Sequence, residues 1–232
     1  SCSVTVELRW ATRSCCPSAA GTSTWASSCR TAAGGPSCAA PARDGVDAAA
    51  ILAFHDSARG SGAAGTGAEI VVRLVTARGD GERREEFRIL DSGRGATLVE
   101  FLDPRQRGTR ILSDASEMWF YAPRTRRAIR VPPLQRLFGQ ASYGDLTQLK
   151  LAEDYVPVGA PCWTETGRVR VELAARSEAA TYARIELEVQ GDTLLPIRSA
   201  YYVASGKHVK TAEFPEARIV DGVAVLGTWH LL

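Results

Sequence analysis

Alternation with a period of two runs through six consecutive segments between Glu69 and Val131, and it restricts the fold more than any other feature of the chain. In Glu69–Ala77, Ile70, Val72 and Leu74 point one way while Val71, Arg73 and Val75 point the other. Gly79-Asp80-Gly81 supplies a hairpin turn, and Glu85–Leu90 returns with Phe87 and Ile89 on one face. Ser92-Gly93-Arg94-Gly95 then turns into four short runs, Thr97–Leu102, Gly108–Leu112, Glu117–Tyr121 and Arg126–Val131. Their connections are built around Asp103-Pro104, Ser113-Asp114 and Pro123, and proline, which has no N–H to donate, suits strand ends. Links this short join antiparallel neighbours, so the region is a meander in a large, curved, antiparallel sheet.

The remainder extends the sheet. Residues 167–176, 181–190 and 194–204 read as strands, followed by His208–Phe214 and by Ala217–Val220 paired with Val223–Leu226 across Asp221-Gly222. Ten-residue spacing with turn signals suggests a barrel or open half-barrel. Two stretches depart from this pattern. Val46–Ala58 reads as a helix capped by Asp44 or Asp47, with Ile51, Phe54, His55 and Ala58 on one face and a flexible link over Gly60–Gly67 after it. Leu134–Leu151, after Pro132-Pro133, puts Leu134, Leu137 and Phe138 at helical spacing and reads as two short helices or turns lying across one face of the sheet.

The chain therefore divides into a tail, residues 1–43, and one domain, residues 44–232. The tail is rich in Ser, Ala, Thr, Gly and Arg and holds five of the six cysteines, leaving only Cys162 in the body. Its one plausible strand, Val4–Trp10, has no obvious partner, and the segment buries too little to offset the entropy of ordering it. It is expected to be disordered or the product of a mis-started reading frame, and the body to do without disulfides. The domain is expected to lack its last strand or two, leaving an unpaired edge near Gly227–Leu232.

Several function classes are excluded by what the chain contains. A net charge of +2 does not suit a nucleic-acid binder driven by bulk electrostatics. No apolar run reaches the roughly 18 residues needed to span a bilayer, and no export signal is visible. His55, His208 and His230 are scattered, no Cys-x-x-Cys occurs, and no metal or cofactor is expected. Gln140-Ala141-Ser142-Tyr143-Gly144 lacks the first glycine of a nucleophile elbow. No catalytic constellation emerges, and the protein is read as a non-enzyme.

An ordered series of motifs carries a resemblance. Phe101-x-Asp103-Pro104, Gly108-Thr109, Met118-Trp119-x-Tyr121-x-Pro123 and a basic run ending in Ile129 are followed by Ser142-x-x-Asp145-Leu146, Asp154-Tyr155, Tyr201-Tyr202 and Gly206-Lys207-x-x-Lys210. Over about residues 45 to 230 the series resembles the broad LolA-like group of outer-membrane lipoprotein-sorting proteins. The resemblance implies an α+β fold, a curved antiparallel half-barrel partly covered by short helices, that binds acyl chains in the periplasm.

Residues bear on that implication in two places. Met118–Ala122 and Leu98–Leu102 are apolar on both faces, which requires cover on both sides or a cavity. The candidate cavity lining is Val72, Leu74, Phe87, Ile89, Val99, Phe101, Trp119, Tyr121 and Ile129. Arg124, Arg126, Arg127 and Arg130 follow the central strand, with Arg124, Arg126 and Arg130 on one face by alternation. They form either a solvated outer face or a basic rim meeting lipid phosphate or an acidic partner. The expected function is a monomeric periplasmic carrier passing lipid or lipoprotein acyl chains towards the outer membrane, with an inner-membrane transporter as partner. The alternative is an accessory subunit of an inner-membrane lipid or drug exporter that holds no ligand.

Overall fold

A computed structural model describes residues 4–12, 46–59, 67–78, 81–114, 117–138, 141–147, 149–220 and 223–232. All six strands of the alternating region form. They are β2 (Ala68–Arg78), β3 (Gly81–Asp91), β4 (Thr97–Phe101), β5 (Arg110–Ser113), β6 (Met118–Ala122) and β7 (Arg127–Arg130), after β1 (Val4–Thr12) and α1 (Ala48–Arg59). Each pairs antiparallel with the next. The prolines act as expected: Pro104 opens a single 3-10 turn capped by the Asp103 carboxylate, and Pro123 lies in the β6–β7 turn. Gly108 takes a φ of 82° beside that turn, where a Cβ would fall 2.8 Å from the Pro123 ring. The motif glycine is thus a steric requirement.

After β7 come β8 (Arg136–Phe138), β9 (Ala141–Ser142), α2 (Tyr143–Thr147), α3 (Leu151–Asp154), β10 (Tyr155–Pro157), β11 (Cys162–Trp163) and β12 (Arg168–Ala175). The chain continues through β13 (Arg184–Gln190), β14 (Pro196–Tyr202), β15 (His208–Glu213), β16 (Ala217–Val220), β17 (Val223–Leu226) and β18 (Thr228–Leu231). One curved, unclosed antiparallel sheet runs β10-β12-β13-β14-β15-β18-β1-β2-β3-β4-β5-β6-β7, with β11 beside β12. The hairpins β8–β9 and β16–β17 stand apart from it.

Two strands correct the sequence reading. Val4–Thr12 has partners on both sides: Val6 lies opposite Leu74 of β2 and Trp229 of β18. Nor is the final strand an unpaired edge, because β18 lies inside the sheet between β15 and β1. Alternation within Val4–Trp10 showed a strand but not its neighbour, since pairing over some 225 residues leaves no local trace. The disorder expected for the tail beyond residue 12, the link over 60–66 and the turn tips at Gly79-Asp80 and Asp221-Gly222 lie outside the described residues.

β1 joins what would otherwise be two sheets, β2–β7 and β10–β15 with β18. Its Glu7 takes part in a cross-strand ion ladder in which Arg73 reaches Glu7 at 3.1 Å and Glu86 at 2.6 Å. These partly exposed pairs contribute little energy but discriminate against other registers. On the opposite face Val6 is 1% exposed.

Core residues alternate as the period of two requires. Val72 and Leu74 of β2, Phe87 and Ile89 of β3, Val99 and Phe101 of β4 and Ile111 of β5 are buried on one face. Val169, Val171 and Leu173 of β12 and Ile185, Leu187 and Val189 of β13 continue it. Helix α1 buries Ile51, His55 and Ala58 of the predicted face, while Phe54 is only half-buried and Leu52 is buried as well, and Asp47 accepts from the Ala49 N–H at 3.0 Å. Residues 134–151 contain one short helix, α2, with α3 starting only at Leu151, and the helical spacing of Leu134, Leu137 and Phe138 misleads. Residues 136–138 are strand β8, paired with β9, because three apolar residues fit either period and the pairing partner decides. Cys162 is disulfide-bonded, which corrects the expectation of a body without disulfides.

Val6→Pro removes a ladder hydrogen bond from mid-sheet. It is expected to lower the free energy of unfolding by on the order of 3 kcal/mol in chemical denaturation. An unchanged midpoint would show that β1 does not bridge the two halves.

Candidate functional site

A cleft of about 660 Å³ lies between the β7 end of the open sheet and the β12–β13 connection. One wall comes from the ends of β6 and β7 and the segment after them, through Met118, Arg130, Val131, Pro132, Pro133 and Leu134. Opposite is the β12–β13 connection, residues 178–181, ending in Thr181, whose buried hydroxyl has no hydrogen-bond partner. Glu117 and Glu178 also line the cleft. The apolar stretch from Val131 to Leu134 suits a hydrocarbon segment, and Glu117, Arg130 and Glu178 put charge beside it.

The residues expected to line a cavity do not form one set. Val72, Leu74, Phe87, Ile89, Val99 and Phe101 share the inner face, at most 8% exposed, and their surface is already taken up by packing. The Phe87 and Phe101 rings meet edge to face at 4.9 Å, and Phe101 approaches Phe120 at 6.4 Å. Ile129 lies opposite Phe120 on the edge strand, 54% exposed. Trp119 and Tyr121 alternate with Phe120 and therefore stand on the outer face, each 36% exposed, which corrects their assignment to the lining. The four arginines differ from expectation as well. Arg124 and Arg126 lie in the turn, Arg126 at a φ of 52°, so strand alternation does not extend to them. Arg127 and Arg130 are exposed on β7, and Arg130 pairs with Glu117 at 3.2 Å.

Behind the cleft lies a buried polar cluster to which sequence reading assigned no chemistry. The Asp145 carboxylate, on α2, accepts from the Ser142 N–H at 2.7 Å and the Ser142 hydroxyl at 2.9 Å. It also accepts from the Tyr182 hydroxyl and the Lys210 ammonium, both at 2.5 Å. Asp145 and Lys210 are 7% and 6% exposed. The Tyr155 hydroxyl accepts from the Tyr182 N–H at 3.1 Å, and Tyr201 stacks on Tyr182 at 4.6 Å. Burial, reinforced by the Asp145 charge, pushes the Tyr182 hydroxyl well above the usual phenol range. Ser142 stands at a strand-to-helix junction, but its hydroxyl is spent on Asp145 and it is 2% exposed. The cluster is a fastening: it fixes α2 to β9, β10, β14 and β15. Gly144 makes the closeness possible, since a Cβ there would fall 2.4–3.1 Å from Thr181. The sequence signal was present, for Ser142, Asp145, Tyr155, Tyr201 and Lys210 all belong to the motif series.

Helix α1 joins the same assembly. Arg59 donates to the Asp145 carbonyl at 2.8 Å and lies 5.1 Å from the Trp229 ring. Asp56 accepts from the Leu151 and Ala152 N–H groups, both at 2.8 Å, capping α3 from another helix. His55, fully buried against the Phe214 ring, has a pKa lowered first by that burial. Among the described residues no group of three or more His, Cys, Asp or Glu could hold a metal ion.

Lys210→Met strands the Asp145 charge in the interior and is expected to cost about 3–5 kcal/mol in chemical denaturation. Adding Asp145→Asn is expected to restore part of that loss. Asp154 supplies a pH test: its carboxyl is pushed up to about 6, first by burial and then by the neighbouring Glu153. The folded state thus holds this proton more tightly than the unfolded one. Its contribution to stability is full below about pH 4 and is lost as pH rises through about 6. Asp154→Asn is expected to flatten that dependence and to raise stability at pH 7 by about 1 kcal/mol, after discounting for partial exposure.

No curated protein sequence matches the chain. Among solved structures it resembles a LolA superfamily protein from Nitrosomonas europaea, with a TM-score of 0.68 and 23% identity over 81% of this chain and 90% of that one. A DUF1329 family protein from Desulfovibrio piger superposes with a TM-score of 0.61 and 17% identity, covering 79% and 88%. A putative outer membrane lipoprotein-sorting protein domain from Vibrio parahaemolyticus gives 0.56 and 17%, covering 78% and 87%. A family model described as "-like: Uncharacterized protein" matches residues 93–231, more than half of the chain. The protein therefore belongs to the family of that model, and its fold is LolA-like.

Proposed function

We propose that the protein is a periplasmic carrier that takes up the acyl chain of a lipid or lipoprotein in this cleft and passes it towards the outer membrane. The observation that carries this reading is the cleft itself, a partly open slot of about 660 Å³ whose apolar stretch, Val131 to Leu134 with Met118, Ala179 and Ala180, lies beside the charged Glu117, Arg130 and Glu178. That volume lies within the range of about 300–1,000 Å³ usual for small-molecule sites. Burying a chain of about 15 carbons gains on the order of 12 kcal/mol gross, at roughly 0.8 kcal/mol per CH₂. A partly open slot covers only part of such a chain, and a carrier that must also release its cargo needs that compromise.

Three further observations support the setting. A similar structure carries the description of a putative outer membrane lipoprotein-sorting domain. A disulfide at Cys162 suits an oxidising compartment such as the periplasm. Among the described residues no helix is long and apolar enough to cross a membrane.

The filled inner face favours a second reading, an accessory subunit of an inner-membrane exporter that carries no lipid, since Leu74, Phe87 and Val99 are fully buried by the protein's own packing. Uptake of a fluorescent fatty acid separates the two. The carrier reading expects saturable uptake, weakened on the order of tenfold by Ala180→Trp, which fills one wall of the cleft, at unchanged Tm. A wild-type protein that takes up none, and releases no acyl lipid in native mass spectrometry, is an accessory subunit.

A further inference from the structure

The outer face of β4–β7 is not built like the outside of an ordinary half-covered sheet. Register places Leu90, Leu98, Leu112 and Trp119 directly opposite one another on four successive strands, with Arg130 next on the edge strand. Leu112 is 48% exposed and Trp119 36% exposed. The neighbouring row carries Glu100, Arg110 and Tyr121. A sheet face turned to water should be polar, so this apolar ladder calls for a partner.

Charge indicates which partner. Residues 102–134 hold seven arginines against three carboxylates, a local excess of +4 in a chain of net charge +2. Arg124 and Arg126 are exposed in the β6–β7 turn, and among the described residues no ion pair engages them. Tryptophan and tyrosine beside arginine is the composition that settles at the headgroup level of a bilayer. Each arginine near an anionic surface strengthens attachment by roughly fivefold. Glu117 and Arg130, the ion pair at the margin of the ladder, also line the cleft, so the face and the cleft mouth are continuous.

We propose that the outer face of β4–β7, with Leu112, Trp119 and Tyr121 as the inserted side chains and Arg124 and Arg126 of the adjoining turn and Arg130 of the edge strand as the phosphate contacts, docks on an anionic lipid bilayer. This rests on the carrier reading for its purpose, because docking there brings the cleft mouth to the surface from which a hydrocarbon chain would leave.

Sedimentation with vesicles of phosphatidylglycerol and phosphatidylcholine, against phosphatidylcholine alone, tests the surface. The full chain is expected to bind the anionic vesicles, more weakly as salt rises. Arg124→Glu with Arg126→Glu is expected to weaken binding by roughly 25-fold or more. Leu112→Ser with Trp119→Ser is expected to weaken it by at least about tenfold. Reversing two exposed charges elsewhere, Arg198→Glu with Lys207→Glu, is expected to leave most of the binding in place. The proposal is overturned if the full chain ignores anionic vesicles, if both surface variants bind as well as wild type, or if the distant pair matters equally. Retention of polyglutamate without vesicle binding would overturn it too, and would assign the face to an acidic protein. Fatty-acid uptake without vesicles keeps the two readings apart. Uptake without vesicle binding sinks the docking surface alone, whereas vesicle binding without uptake sinks the carrier and leaves the docking surface standing.

Discussion

A carboxylate in the interior must be satisfied or the fold does not hold, and Asp145 is the buried carboxylate on which the most side-chain donors converge. Removing a charge from water costs several kcal/mol, recovered only when good donors converge on it. Ser142, Tyr182 and Lys210 supply them, while Arg59 takes the carbonyl of the same residue. An apolar cover would slide on an apolar sheet with little change in energy. A carboxylate that needs an ammonium, a phenol and a hydroxyl in fixed directions does not slide. Position, more than net stability, is what such a group contributes. The cover it fixes includes Gly144 against Thr181, and Thr181 is a wall of the cleft.

The sheet has a different problem, which is length without closure. Its path begins at β10 and ends at β7, and the strands that join the halves come from the two extremes of the described chain. β1 and β18 pair with each other across the middle. Long-range pairing of this sort forms late and gives nothing until both ends are in place. The consequence is a seam at the opposite side, where β7 faces the β12–β13 connection without pairing to it. The cleft lies between that strand and that connection.

Faces settle the rest. Phe120 turns inward to meet Phe101 and Tyr143, while Trp119 and Tyr121 on either side of it must turn outward. A strand apolar on both faces was read as one wall of an internal cavity. It is instead a strand with a packed inner face and an outer one left partly in water. The apolar excess is the same in both descriptions, but its location differs, and location separates a site for cargo from a surface for docking.

Much of the architecture was legible beforehand, because local rules impose it. A period of two, proline at strand ends and short turns require an antiparallel meander over residues 69–131 wherever it sits, and the spacing in α1 requires a buried stripe. The polar motif residues were legible as a series but not as a cluster: Asp145 and Lys210 are 65 residues apart, and no local pattern says that they touch. Three apolar residues after Pro133 suited helix and strand equally, and only pairing with β9 chose strand. The residues by themselves determined which side chains alternate and where the chain turns, since sterics and hydration act within a few positions. Only the tertiary structure decided which face is inside, what β1 pairs with and where the seam opens, because those depend on contacts between segments that carry no mark of one another.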